Sequence, residues 1–83
     1  MKKYYIYLAR CNDQTLYTGY TSNLIQREAK HNAGEGAKYT RARRPIRIIY
    51  SEKFNTISEA MIRECQIKSW TKLKKEKLIK KQP

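Results

Sequence analysis

Apolar residues along this chain fall into three short dense runs and three more widely spaced sets, and their succession predicts the order strand, strand, helix, strand, helix, helix. Tyr4 to Cys11 (YYIYLARC) is aromatic and almost continuously apolar, the pattern of a strand buried on both faces. Asn12-Asp13-Gln14 supplies turn residues and Leu16 to Tyr20 (LYTGY) is strand-like again, so the pair predicts an antiparallel hairpin. Gly19 inside the second strand marks a bulge or a close backbone approach by a ligand. Asn23 can cap a helix from Leu24 to about Asn32, with Gln26 as a weak capping box, and Gly34 and Gly36 end it.

Gly34 to Pro45 (GEGAKYTRARRP) reads as a mobile, strongly basic loop carrying Lys38, Arg41, Arg43 and Arg44. Ile46 to Tyr50 is rich in β-branched residues and predicts a third strand. Thr56-Ile57-Ser58-Glu59 has the form of a capping box and opens a helix to about Trp70, with Ile57, Ala60, Met61 and Ile67 as its apolar stripe. Thr71 can cap a final helix whose apolar members, Leu73, Leu78 and Ile79, lie among lysines. The expected fold is therefore α+β, a small three-stranded, mainly antiparallel sheet packed by helices in the order β-β-α-β-α-α, forming one domain over residues 1–83.

Composition narrows the function. Lys and Arg number 19 against 7 Asp and Glu, a net charge of +12 on 83 residues. So large an excess on so small a surface favours a polyanionic partner, nucleic acid in the first place. An anionic membrane is the weaker rival, because three apolar residues make too narrow a face on the last helix. No segment has the 18 or so apolar residues of a membrane span. Cys11 and Cys65 stand apart, and with a single His they offer neither a Cys/His zinc site nor a disulfide framework, so buried free thiols are expected. Met1-Lys2-Lys3 precedes too short an apolar run for a signal peptide, and a cytoplasmic monomer is the expectation.

The candidate chemistry lies in five residues. Glu64 is the one acid on the stripe of the second long helix, in the middle of that stripe in projection, where a carboxylate is costly unless it is paired or binds a metal. A salt bridge to a nearby base is the plainer alternative. Arg27 and His31 stand at i and i+4 and share a helix face, as a solvated basic face or as a guanidinium for a phosphate with a histidine that works near neutral pH. Tyr7 and Tyr17 lie on adjacent strands, where the hairpin can bring their phenols to one end of the sheet. Buried tyrosine is more often core, and a phenol acting as base needs cations or a metal to lower its pKa.

In this order and spacing these residues resemble the GIY-YIG nuclease superfamily. Tyr5-Ile6-Tyr7 matches the first signature with Tyr in place of the initial Gly, and Tyr17-Thr18-Gly19 matches the second with Thr in place of Ile. Thr21, Asn23, Leu24, Arg27, His31 and Asn32 fit the run that follows, and Glu64-Cys65-Gln66-Ile67-Lys68 fits the metal-binding helix. The likeness covers essentially the whole chain and is greatest to the small, stand-alone, single-domain bacterial members. It implies a DNA endonuclease that hydrolyses phosphodiesters with one divalent ion, Mg or Mn, and a structure-directed role in DNA repair or processing. Glu64 would hold the metal, Tyr17 assisted by Tyr7 and His31 would activate water, and Arg27 would neutralise charge on the phosphate. Lys38, Arg41, Arg43, Arg44 and Lys68 would bind the nucleic acid, with DNA expected over RNA. No Asn follows Glu64, as one does in several active members, so the alternative is a catalytically weak or inactive nucleic-acid-binding module of the same fold.

Overall fold

A computed structural model describes residues 2–81; Met1 and the last two residues of the expected domain lie outside the described residues. Three strands, β1 (Tyr4–Arg10), β2 (Leu16–Thr21) and β3 (Arg47–Phe54), form one antiparallel sheet in the order β2-β1-β3. Four helices complete the fold, α1 (Leu24–Asn32), α2 (Lys38–Arg41), α3 (Ile57–Lys68) and α4 (Lys72–Lys80). The α+β class and the three-stranded sheet agree with expectation. The extra element is α2, one helical turn in the segment expected to be a mobile loop.

β1 is central, which explains its continuous apolar sequence: Ile6, Tyr7, Leu8 and Ala9 are all buried. Successive side chains point to opposite faces of a strand. Ile6 and Leu8 join Ala60 and Ile67 of α3 in one cluster, flanked by Tyr50, Phe54, Trp70, Leu78 and Ile79. Tyr7, Ala9 and Cys11 join Ile46 on the other face, flanked by Tyr17, Leu24 and Ile48.

β3 runs four residues beyond the expected strand because polar Ser51, Glu52 and Lys53 pair with Tyr7, Ile6 and Tyr5 of β1. The bulge falls in this pair of strands, between Leu8 and Ala9, and not at Gly19, where the β1–β2 register is unbroken. The outer edge of β3 is partly occupied by α1. Glu28 Oε2 accepts the Ile48 N–H at 2.7 Å, and one turn on Asn32 both accepts the Ile46 N–H at 2.7 Å and donates to its carbonyl at 3.0 Å. Edge groups satisfied in this way are withdrawn from pairing with another chain.

All three long helices carry side-chain caps. Asn23 accepts the Gln26 N–H, Thr56 and Glu59 form a reciprocal capping box, and Thr71 accepts the Lys74 N–H. α3 ends at Lys68, two residues before Trp70. Its buried stripe is narrower than expected, since Ile57 and Met61 are each 45% exposed while Ala60 and Ile67 are fully buried. Arg63 pairs with Glu52 of β3 at 2.8 Å, and Arg10 of β1 makes a two-point ion pair with Glu76 of α4. Both cysteines are free thiols, Cys11 buried as expected but Cys65 exposed, because it lies on the outer side of α3. No helix among the described residues is long and apolar enough to cross a membrane.

The narrow stripe on α3 predicts unequal costs for truncation. Ile67→Ala should lower the free energy of unfolding by about 2–5 kcal/mol, as buried aliphatic truncations do. Met61→Ala should cost well under about 1 kcal/mol, as surface substitutions do. Urea denaturation of both variants measures the contrast, and equal losses would return Met61 to the core.

Candidate active site

The site is built outward from the β1–β2 register, in which Tyr7 stands opposite Gly19. The Tyr7 ring lies across Gly19, so that a Cβ there would come within 2.6 Å of the phenol oxygen. The close approach read from Gly19 is thus made by a side chain of the neighbouring strand. Removing one methyl's worth of volume at Gly19 is what lets the Tyr7 hydroxyl pass over β2.

That hydroxyl lies in a directed chain of hydrogen bonds. Arg27 Nε donates to the Tyr7 oxygen at 3.4 Å, and the Tyr7 hydroxyl is 2.8 Å from His31 Nε2. His31 Nδ1 is 2.8 Å from Thr40 Oγ1, and that hydroxyl gives its only proton to the Ala37 carbonyl at 2.9 Å. Thr40 can therefore only accept from His31, which fixes the proton on Nδ1 and leaves Nε2 as an acceptor. Tyr7 then donates to His31, and the four side chains are aligned head to tail.

Position explains the electrostatics. His31, expected on a basic helix face, is completely buried, and Gly36 lies so close above its ring that a Cβ there would come within 2.8 Å of Cγ. Burial, helped by the Arg27 charge, holds the imidazole below its ordinary pKa of 6.5, so it is neutral at pH 7. Burial also raises Tyr7 above its ordinary value of 10.0, outweighing the hydrogen bond and charge of Arg27. A phenol acting as base needs cations or a metal to lower its pKa, and at Tyr7 desolvation is a larger effect than the nearby guanidinium. The turn that brings Gly36 over His31 begins with a Schellman closure of α1, in which Gly34 N–H reaches the His31 carbonyl and Glu35 N–H the Lys30 carbonyl.

Tyr17 is the more accessible phenol. Its ring meets that of His31 edge-on at 5.4 Å and stacks on Tyr39 at 5.9 Å. Tyr7, Tyr17, Gly19, Tyr20, Arg27 and Glu64 line one open cleft of about 260 Å³, with His31 behind Tyr7. Glu64 reaches this cleft from α3. Its side chain is 15% exposed and pairs with Lys68 Nζ at 3.1 Å, so the plainer salt-bridge reading and the cleft position hold together.

The donor set of the cleft is a single carboxylate. Among the described residues no group of three or more His, Cys, Asp or Glu is placed to hold an ion. Zinc or calcium would want several protein ligands, and this site does not fit them. Glu64 does fit a magnesium-like ion, which keeps several waters and is commonly held by one or two carboxylates together with substrate phosphates. Its partner Lys68 is 55% exposed on a flexible stem and can move aside.

The basic residues divide into two sets. Lys38 and Arg41 are exposed on α2. Arg43 is engaged within the fold, pairing with Asp13 at 3.0 Å, donating to the Tyr39 carbonyl and covering the Tyr39 ring at 3.9 Å. Arg44 donates to the carbonyls of Arg41 and Asn32. Thr40, Gly36 and Tyr39 took no part in the site read from the sequence. Only Gly36 left a trace there, as a helix end, and nothing local distinguishes Thr40 from a surface threonine.

Comparisons with known proteins show the family of the chain. Residues 3–78 match the GIY-YIG catalytic domain. A UPF0213 protein of Staphylococcus haemolyticus is 52% identical over 79 residues, covering 95% of this chain and 96% of its own. One from Natronomonas pharaonis is 53% identical over 76 residues, covering 92% and 89%. The solution NMR structure of a UPF0213 protein from Bacillus halodurans is similar with a TM-score of 0.62 at 40% identity, over 96% of this chain and 85% of the other. That of a protein from E. faecalis gives 0.65 at 43% identity, over 98% and 86%.

The buried imidazole predicts a particular pH dependence. A base whose folded pKa is depressed takes up a proton in the unfolded chain first, so stability is lost as pH falls below 6.5. Glu52 and Glu76, also held low by their partners, act only below 4.5. Stability from urea titration should therefore decline already between those two values, and His31→Gln should flatten the decline. Thr40→Val should cost about 1–3 kcal/mol by stranding the buried Nδ1–H. A wild type whose stability does not change over that interval would contradict the neutral, buried His31.

Proposed function

Because the chain belongs to the GIY-YIG family, we propose that it is a nuclease that hydrolyses DNA phosphodiesters in the cleft between β2, α1 and α3, using one magnesium or manganese ion held by Glu64. The observation that carries this reading is the opening of Glu64, Arg27, Tyr7 and Tyr17 onto a single cleft, with a neutral histidine hydrogen-bonded behind Tyr7. When bound, such an ion supplies charge stabilisation for the phosphate and the departing oxygen.

Each side chain has a definite part. Arg27 engages Tyr7 through Nε, which leaves its terminal nitrogens for a phosphate oxygen. The more accessible Tyr17 hydroxyl orients the attacking water. The Tyr7 oxygen takes a proton from that water while its own proton passes to His31 Nε2, and the imidazolium so formed keeps its Nδ1–H on Thr40. The oxygen of the water then bonds to phosphorus as the bond from phosphorus to the leaving oxygen breaks. Lys38, Arg41 and Lys68, all exposed, hold flanking phosphates, and Arg43 and Arg44 hold carbonyls of the short helix that carries the first two. Action on branched or repair-related DNA is part of this proposal, with DNA as the substrate ahead of RNA. The second reading, a weakly catalytic binding module, is favoured by the Glu64–Lys68 ion pair together with the lack of an Asn after Glu64.

Glu64→Gln separates the two. The nuclease reading expects cleavage of DNA in the presence of Mg²⁺ to fall about a hundredfold or more, the scale of losing a key electrostatic group, with DNA affinity kept or increased. Cleavage unchanged per folded molecule would remove Glu64 from the metal site. No cleavage by the wild type on single-stranded, duplex or branched DNA would select the binding module. In either case duplex affinity should fall steeply with salt, with a log-log slope of roughly −4 to −5 for about five phosphate contacts.

A further inference from the structure

The last helix is not used by the site described above. Its only acid, Glu76, pairs with Arg10 and has Lys72 and Lys80 one turn to either side, so one carboxylate faces three cations and the helix keeps a positive excess. Lys75 is half-buried and feels the charge of Lys68. The remaining lysines, Lys74, Lys77 and Lys81, share the outward face of α4 with no acid beside them on that helix. Like charges at this spacing repel and weaken a helix, so the face is arranged to gain from an anion.

The same face borders a groove of about 500 Å³ whose floor is apolar, formed by Trp70, Leu73 and Leu78. Leu73 is 67% exposed, and Lys74 Nζ lies 4.3 Å from the indole centroid. Single-strand-binding proteins combine aromatic rings with cations, and here Arg63 and Lys74 both lie over the indole, so that a base takes the ring as the flexible Lys74 turns from it to a phosphate. From Lys74 to Lys81 the helix rises about 10 Å, on the order of two or three phosphate spacings along one strand. A duplex does not suit the groove, since its bases are stacked on one another and cannot reach the indole. A lipid surface does not suit it either, since Trp70 and Leu73 alone would enter the bilayer among lysines.

We propose that the outer face of α4 and the Trp70 groove form a second nucleic-acid site that holds a single-stranded segment. The strand lays phosphates on Lys74, Lys77 and Lys81 and sets one base against Trp70. Lys68, paired with Glu64 at the cleft, is near enough to Lys75 of α4 for their charges to interact, so cations link the cleft to the helix that carries the groove. The substrate of the cleft is then DNA with an unpaired arm, such as a flap or a fork. This inference rests on the nucleic-acid part of the proposed function and not on catalysis.

Trp70 is the only tryptophan, so its fluorescence reports on the groove alone. Titration with an oligothymidylate of about 12 nucleotides, a length a small fold can cover, should quench it saturably and in step with binding measured by anisotropy. A duplex of equal length should bind with little quenching. Replacing Lys74, Lys77 and Lys81 together by Gln should weaken oligothymidylate binding about tenfold or more and reduce its salt slope by about 2. Trp70→Leu, which keeps an apolar side chain in the core, should weaken it about tenfold, and far-UV circular dichroism checks that both variants fold. Glu64→Gln should quench like the wild type, so loss of hydrolysis and loss of this site are told apart. Oligothymidylate that binds without changing Trp70 emission overturns the proposal, even if cleavage is normal. So does a blue shift with phosphatidylserine vesicles where the oligonucleotide has no effect.

Discussion

The hydrogen bond from the buried Tyr7 hydroxyl to His31 Nε2 is the constraint on which the rest of this small structure depends. It joins the central strand to the first helix, and through Thr40 it reaches the short helix beyond. Burial holds both partners neutral, and an unmatched donor or acceptor here would carry its full desolvation cost. Two glycines make the space: Gly19 lets the phenol cross β2, and Gly36 lets the backbone close over the imidazole. A segment rich in Lys and Arg, with little to bury, is ordered because Thr40 completes this chain of bonds.

Acidic residues are few, and nearly all have structural partners. Asp13 holds Arg43, Glu52 holds Arg63, Glu76 holds Arg10, Glu28 occupies an edge N–H of β3, and Glu59 closes the capping box of α3. Spending the acids on the fold leaves the outer surface strongly cationic, with Glu64 as the acid that opens onto the cleft. Its position beside Arg27, Lys68 and two phenols gives a small region where a cation can be held within a surface that otherwise attracts anions.

Cleft and groove differ in how they are built. The cleft is set by β1, β2, α1 and α3, whose side chains are fixed by packing and by hydrogen bonds that run through the core. The groove on α4 is set by one helix docked through Leu78, Ile79 and the Arg10–Glu76 pair. Rigid placement suits a group that handles a reacting phosphate, whereas a lysine rim suits a strand that must slide and be released.

The elements were legible in the sequence because their causes are local. Caps at Asn23, Thr56 and Thr71, the turn after Cys11 and the unbroken apolar run of β1 each act within a few residues, and all appear in the structure. Five residues of the candidate site were singled out by their resemblance to the GIY-YIG pattern, and spacing along a strand or helix says which side chains share a face. Spacing does not say which way that face turns. Whether His31 faced water or the core, whether Ile57 and Met61 were covered, and whether Cys65 was buried depended on how each helix docked on the sheet. The bulge went to β1–β3, and Thr40 met His31 nine residues away through a turn that Gly34 and Gly36 permit. Such contacts are decided by the chain closing on itself, where the burial of one group is set by partners distant in sequence, and only the tertiary structure contains them.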